Sequence, residues 1–576
     1  MAKVIRVNMS DLSVTVEEPA TDAQPTGGRH FTSTVVAREV PPLCHPLSAA
    51  NVLIIAPGWL GGTGAPCSGR LSIGAKSPLT GTIKESNAGG NAANALARLD
   101  ITGIIIEGLP PDDALRALVV GPEGARIEDA PELKGLGNYD TVAALQERVS
   151  GKISCLTIGQ AGEMKLTGAS IAVTDEEMRP TRHAGRGGLG AVMGSKGLKA
   201  VVIDNEHGDR PTSADQAAFT KAASTFSKLL RAHPVTGEAL PTYGTNVLTN
   251  IINEAGAYPT RNFSTGQFEG TEAISGETQR DTIIERGGLP KHACHKGCVI
   301  QCSRIYHDKN GEYLTKGPEY ETVWSHGANC EIDDLDAIAV MDRMDDDIGL
   351  DTIEMGAAIG VAMEAGLIEF GDAEGAIKLL EEVRAGTPLG RIIGSGAEVT
   401  GRAFGVAHVP TVKGQAIPAY DPRAAKGIGV TYATTTMGAD HTAGYAICQN
   451  ILGVGGTVDP LKPEGQAELS KALQIATGMI DASGLCVFVA FCVLDEPDAF
   501  QAIVDMTNAH LGTSLDGDGL GGIGAEVLAI ERDFNARAGL TSQHDRLPAF
   551  FSTEPLAPHG VVFDVPEEEL DAVHDG

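Results

Sequence analysis

No stretch of this chain stays apolar for the ~18 residues that a membrane-crossing helix requires. The longest apolar-looking segment, near 353–368, carries Glu354 and Glu364 and reads as a buried helix. The N-terminus lacks the charged-then-apolar pattern of a secretion signal. Positive charge is scarce: 44 Lys and Arg against 75 Asp and Glu give a formal charge of -31. That balance argues against a nucleic-acid surface, although it leaves room for a local basic dock for an acidic electron carrier. Ten cysteines scattered over 576 residues do not make a secreted disulfide framework. Low-complexity segments and solenoid periods are missing too. These absences point to a chain working in a reducing cytoplasm, with no membrane and no nucleic acid among its partners. Aromatic residues are few, at 4%, whereas glycine is abundant at 72 residues. Glycine lets backbone approach a ligand closely, so the count suggests several tight cofactor-facing turns.

The length suits about three domains of ordinary size. Residues 1–208 read as strand-rich, with β-branched or apolar runs at 4–7, 12–16, 51–56, 101–108, 117–120 and 198–203. Two short helices are predicted among them, at 91–99 and 141–149. Beyond a polar, Pro-containing stretch the period becomes helical, with candidates at 214–233, 334–345, 352–367, 372–385, 466–480 and 498–511. The expected class is α+β: a β-rich domain over 1–208, then helical domains over 209–410 and 411–576.

The densest chemical signal is Cys294, Cys298 and Cys302, spaced C-x3-C-x3-C. Three thiols so close usually hold a metal, and soft thiolate favours an iron–sulfur cluster or zinc. A cubane needs a fourth ligand. Cys486 is the natural choice, with Cys492 its competitor and Cys448 and Cys330 behind. These last three, with Cys44, Cys67 and Cys155, otherwise read as small buried hydrophobes. Cys486 ends one copy of a short internal echo, in which Asp346-Asp-Ile-Gly-Leu-Asp351 matches Asp481-Ala-Ser-Gly-Leu-Cys486. Each copy closes a predicted helix, and Gly-Leu is an ordinary helix stop. A carboxylate can also accept two parallel N–H bonds from a flat heterocycle, so the shared leading Asp suggests one such ligand present twice.

Two glycine-rich loops fit phosphate. In 182–199, consecutive glycines expose N–H groups beside Arg182, Arg186, Lys196 and Lys199. It is neither a Walker A loop nor a dinucleotide fingerprint. The second loop runs from Arg70 through Lys76 to Asn87-Ala88-Gly89 and opens into the helix predicted at 91–99.

With these motifs the chain resembles the tungsten-containing aldehyde:ferredoxin oxidoreductase family over nearly its full length. The resemblance rests on Ser-Pro-Leu-Thr-Gly…Asn-Ala-Gly-Gly (77–90), Ala-Gly-Arg-Gly-Gly-Leu-Gly-Ala-Val-Met-Gly-Ser-Lys (184–196) and Gly-Pro-Glu-Tyr-Glu-Thr (317–322), followed by Ala-Tyr-Asp-Pro-Arg (419–423), Gly-Ala-Asp-His-Thr (438–442) and both Asp-x-x-Gly-Leu motifs. It implies a tungsten (or molybdenum) bis-pterin cofactor between the β domain and the helical domains. Asp346 with Leu350 and Asp351, and Asp481 with Leu485, would grip the two pterins. Carbonyls near Asn87 and Ala184 would hold Mg2+ between the pterin phosphates. Lys76, Ala88, Gly89, Arg182, Gly185, Arg186 and Gly187 would complete the cofactor-binding set. Arg70 would sit between one pterin and a 4Fe–4S cluster on Cys294, Cys298, Cys302 and Cys486.

His441 matches the family's active-site histidine, and Glu319 or, by preference, Glu321 the matching carboxylate. The implied reaction takes an aldehyde to a carboxylic acid and sends electrons to ferredoxin or a small iron–sulfur subunit, as a homo- or hetero-oligomer. A low-potential reductase branch of the same family is the alternative, and a non-catalytic electron-transfer subunit a third reading. The spacing of the first two cysteines exceeds the family's C-x2-C by one residue. The Glu-x-x-His motif that bridges subunits through iron in some members is replaced here by Glu331-Ile-Asp-Asp334.

Overall fold

A computed structural model describes residues 2–19 and 25–574. β1 (Lys3–Asn8), β2 (Ser13–Glu17), β3 (Leu53–Pro57), β4 (Leu71–Lys76), β5 (Ile83–Ala88) and β6 (Ile101–Glu107) form one sheet in the order β2-β1-β6-β3-β4-β5. β7 (Arg116–Gly121), β8 (Gly124–Asp129), β9 (Ile153–Thr157), β10 (Ile171–Val173), β11 (Arg182–Ala184) and β12 (Leu198–Asp204) form a second, in the order β11-β10-β9-β12-β7-β8.

The two-residue period explains why the sheets stack. Ile5 and Val7, Leu53 and Ile55, and Ile104 and Ile106 point to one face, where they meet Leu118, Val120, Leu156, Val201 and Ile203 of the second sheet. The alternate residues Val4, Ile54 and Ile105 pack on Phe31, Val35 and Val36 of the helix Gly28–Glu39. On the far side, Ala117, Val119 and Val202 pack on Val142 and Leu145 of the helix Asn138–Arg148. Strands covered on both faces read as continuous apolar runs, which is why β3, β6 and β12 stand out in the sequence.

The first two hundred residues hold more helix than the two expected. Gly28–Glu39 buries Arg29, His30, Thr32 and Ser33 together with its valines, so it has no polar stripe to give it away. From 216 onward helices dominate, and the predicted ones form at Gln216–Ala232, Leu335–Ile348, Thr352–Glu364, Ala373–Ala385, Gln466–Ser483 and Pro497–Leu511. A further long helix, Gly517–Arg537, was hidden by its glycines at 517, 519, 521, 522 and 524. Gly524 has a reason to be glycine, since a side chain there would strike the backbone of Ile475 in the neighbouring helix. Among the described residues no helix is long and apolar enough to cross a membrane.

Candidate functional site

The two Asp-x-x-Gly-Leu motifs end helices whose last turns line one cavity. Leu335–Ile348 stops at Gly349 (φ 81°) and Gln466–Ser483 at Gly484 (φ 82°), the left-handed caps that glycine tolerates best. Asp346 and Asp481 occupy the last turns and line a cavity of about 310 Å³. Their electrostatics differ. Burial opposes ionisation of Asp346, but Lys316 (2.8 and 2.9 Å) and His183 (3.1 Å) overcome it and hold the carboxyl at about 2. Burial, reinforced by Glu85, pushes Asp481 up to about 8 despite Arg29 at 3.4 Å.

Segments 86–89 and 182–186 meet along the same cavity. The Arg186 amide donates to Ser86 Oγ at 3.3 Å, while Arg70 hydrogen-bonds the side chain and the carbonyl of Asn87. Arg182 is buried, and its Nε and one terminal nitrogen have no partner among the described residues. A buried guanidinium with idle donors at a cavity wall fits an anionic ligand. Arg186 is fully employed instead: it donates to Asp351 (3.1 Å), the Ala439 carbonyl (2.6 Å) and the Ala416 carbonyl (2.7 Å).

Other predicted ligands face elsewhere. Lys76 Nζ donates to the carbonyls of Pro42 and Cys44, and the Lys196 ammonium to those of Ser48, Asn51 and Gly108. Lys199 is tied to Glu163 and the Leu136 carbonyl. The positive charge of the 182–199 loop thus comes down to Arg182 and Arg186, because the helix Leu189–Ser195 carries its two lysines away. Leu485 and Ala184 belong to apolar cores. Ala88 is buried in β5, and Gly187 offers its carbonyl to Ser77 at 2.7 Å. Asn87, Gly89, Gly185, Leu350 and Asp351 line the cavity with Arg70, Glu319 and Glu321.

The thiols collect at one edge. A ligand atom from each of Cys294, His295 and Cys298 lies within 4.8 Å of the others. Burial, then Glu319 and the neighbouring Cys294, Cys298 and Cys486, push the proton affinity of the Cys302 thiol well up. Cys294, Cys298 and Cys486 are buried and Cys302 is half-buried. Thiols in such surroundings retain their protons unless a cation replaces them, and this sulfur-rich donor set suits iron–sulfur chemistry. Cys67 is buried in the apolar core, as expected, and its thiol also stands against Cys298. Its amide donates to the Gly297 carbonyl at 3.0 Å, and its own carbonyl accepts from the Cys486 amide at 2.8 Å. A side chain on Gly89 would meet Arg70 at 3.2 Å and the Cys294 sulfur at 3.4 Å, so the glycine loop, that arginine and the thiols adjoin. Cys330 lies in another setting, while Cys448 shares the wall of an apolar pocket with Cys294, Cys302 and Cys486.

That pocket, of about 610 Å³, opens beside the polar cavity and is walled by residues such as Leu473, Ile480, Phe488, Phe491, Leu494 and Phe500. Glu319, Glu321 and His441 border both spaces. His441 Nε2 stands 3.3 Å from Glu321 Oε1, and the other Glu321 oxygen accepts from the Ala419 amide at 3.1 Å. Burial pushes Glu321 up to about 8 and His441 down to about 4. Asp440, beside the histidine, is opposed by burial but held down by Lys84 (3.0 Å) and Arg186. Glu319 accepts from Thr245 at 2.6 Å. His183 and Asp440 lie within the sequence motifs, but their partners do not follow from them: His183 and Lys316 both face Asp346, and Asp440 faces Lys84.

The structure thus sets thiols, a polar cavity, an apolar pocket and the Glu321–His441 pair side by side. Comparison with known proteins gives the family. Residues 4–205 match the aldehyde ferredoxin oxidoreductase N-terminal domain, and residues 221–573 match domains 2 and 3 of the same family. The tungsten-containing aldehyde ferredoxin oxidoreductase of Pyrococcus horikoshii is 36% identical, over 96% of this chain and 92% of its own. The chain belongs to the tungsten-containing aldehyde ferredoxin oxidoreductase family. A 25% identical relative from Pyrococcus furiosus, covering 89% of this chain and 82% of its own, is described as an aliphatic sulfonate oxidoreductase, WOR-like subunit. The fold also matches the active-site complex BamBC of benzoyl coenzyme A reductase with 1,5-dienoyl-CoA. There the TM-score is 0.79 at 20% identity, over 95% of this chain and 90% of that one.

Proposed function

We propose that this chain oxidises aldehydes to carboxylic acids at a tungsten bis-pterin centre in the polar cavity, passing the electrons one at a time through a single 4Fe–4S cluster to a small iron–sulfur protein. The balance is R-CHO + H2O → R-COO⁻ + 3 H⁺ + 2 e⁻. When bound, the pterin-held metal supplies the two-electron redox change. The observation that carries the reading is the Glu321–His441 pair on the border between the two cavities, 3.3 Å apart.

Near neutral pH the pair holds one proton, on Glu321, because burial favours the uncharged form of both groups. A neutral carboxylic acid can donate to an aldehyde oxygen, while a neutral imidazole can take a proton from the water that adds. The apolar pocket keeps bulk water from the reacting carbon and receives an uncharged R group. Asp346 and Asp481 would hold the two pterins, and Arg182 would offer its idle N–H groups to a phosphate. The adjoining backbone at Asn87 and Ala184 would carry Mg2+ between the phosphates. Cys294, Cys298, Cys302 and Cys486 would hold the cluster, with Arg70 between it and the nearer pterin.

A second reading keeps the same centre for a low-potential reduction of an aromatic acyl thioester or a carboxylic acid. The aromatic wall of the apolar pocket, with Tyr420, Tyr445, Phe488 and Phe491, supports it. Metal analysis of protein purified without oxygen, paired with aldehyde-dependent reduction of a viologen dye, tests both. About one tungsten and about four iron per chain, with dye reduction, is the expected result. The same metals without aldehyde activity would favour the reductase, and iron alone would sink both.

A further inference from the structure

A third cavity, a surface groove of about 450 Å³, lies apart from the two catalytic spaces. One wall is the helix Gln216–Ala232, which contributes Gln216, Thr220, Ser224 and Ser227 at helical spacing. The opposite wall is built from the loop around Gly62–Ser68 and from the backbone of Lys296–Val299. Every charged side chain lining the groove is basic: Arg98, Arg210 and Lys296. Among the described residues none of the three is in an ion pair. On a chain of net charge -31, this groove is lined by basic side chains and by no acidic one.

Its position matters as much as its charge. The two loops that form its floor are the ones that carry thiols. Cys67 lies between Pro66 and Ser68, and Cys298 between Gly297 and Val299, with the Cys67 amide bonded to the Gly297 carbonyl at 3.0 Å. Lys296 and Gly297 are exposed, whereas Cys294 and Cys298 are buried directly behind them. An electron leaving the thiol site by this route crosses one layer of backbone before reaching solvent. The polar cavity, by contrast, is lined by residues from both halves of the chain.

From this juxtaposition we infer that the groove is the docking face for a small, acidic iron–sulfur electron carrier, with Arg98, Arg210 and Lys296 steering and orienting it. The inference rests on the proposed electron exit. A like-charged partner approaching the chain as a whole is repelled, so a local basic site sets both the encounter rate and the orientation. Such steering is screened by salt within ~10 Å at 0.1 M ionic strength.

The test uses the complete cofactor-loaded enzyme, a simple aldehyde, and either an acidic two-cluster bacterial ferredoxin or benzyl viologen as acceptor. For the wild type, the KM for ferredoxin should climb steeply with added NaCl while the viologen rate stays level. Arg98→Glu combined with Arg210→Glu should raise the ferredoxin KM by about tenfold or more and flatten its salt dependence. Iron content and viologen rate should be unchanged. Arg98→Gln with Arg210→Gln gives a milder variant with an intermediate KM, should the reversal fail to fold. A wild-type ferredoxin KM insensitive to salt, or charge-reversed protein with wild-type ferredoxin kinetics, overturns the docking assignment and leaves aldehyde oxidation standing. Loss of viologen reduction in the wild type itself would overturn the proposed reaction instead.

Discussion

His441 Nε2 and Glu321 Oε1 stand 3.3 Å apart, and burial drives their proton affinities in opposite directions, the carboxyl up to about 8 and the imidazole down to about 4. Between those values the pair carries one proton and no net charge. Turnover that needs this state should decline as pH rises through about 8, where Glu321 ionises. Glu321→Gln should slow kcat by about 10²–10⁴-fold and remove that alkaline limb. His441→Asn should slow it comparably while tungsten and iron contents hold. Rates of the viologen assay across pH decide the matter: a Glu321→Gln enzyme that keeps the limb near 8 would show that another group titrates there.

Cys486 and Cys492 are separated by six positions in the sequence but by function in the proposal. Cys486 joins the thiol group, sensing both Arg70 and Cys294, whereas Cys492 is acted on by burial and by Glu496 and Asp495, not by a thiol. Cys486→Ser should therefore remove or convert the cluster, lowering iron and changing the electron paramagnetic resonance signal of the reduced protein, with tungsten retained. Cys492→Ser should leave iron unchanged. Equal iron in both variants would exclude Cys486 as a ligand.

Arg29, only 1% exposed, ties the β-rich part of the chain to the helices. It donates to both oxygens of Glu531 at 2.9 and 2.8 Å and reaches Asp481 at 3.4 Å. Removing one member of a buried ion pair strands the other, at a cost of about 3–5 kcal/mol, whereas replacing both with apolar residues is often neutral. Arg29→Met should thus lower the denaturation midpoint sharply, and Arg29→Met with Glu531→Leu should recover much of it. Asp481, freed from its cation, should also hold its cofactor half less well. A single variant as stable as wild type would mean that water compensates the carboxylate.

How far this site could be read in advance follows from what each signal reports. The cysteine spacing, the paired Asp-x-x-Gly-Leu motifs and the Gly-Ala-Asp-His-Thr segment are local patterns, and the structure brings them round one region. Twofold-buried strands such as β3 were readable because both faces demand apolar residues. Gly28–Glu39 was not, since its buried Arg29 is satisfied by Glu531, 502 residues away. Lys76, Lys196 and Lys199 misled for the same reason: a lysine beside glycines reads as a phosphate ligand, and only tertiary structure shows each ammonium spent on carbonyls or on Glu163. Cys67 gave no signal because its partner thiol is more than two hundred positions away.

The buried carboxyls set the pH dependence of stability in the cofactor-free protein. Burial raises Glu321 to about 8, Asp481 to about 8 and Glu354 to about 7, from ordinary values of 4.5, 3.8 and 4.5. Between the ordinary and raised values the folded state binds more protons than the unfolded, so stability falls as pH rises. Burial acts in reverse on His441 and His574, each lowered from 6.5 to about 4. Their contribution makes stability rise with pH, but only up to 6.5, where the unfolded imidazole has lost its proton. Lys196, lowered by burial to about 8, adds a rising term only above that. The window from 6.5 to about 8 therefore belongs to the carboxyls, and the melting temperature should fall across it. Glu321→Gln and Glu354→Gln, which cannot ionise, should flatten the slope in proportion. A melting temperature that rises between those limits would place the protons elsewhere and remove the basis for a neutral Glu321 in the resting site.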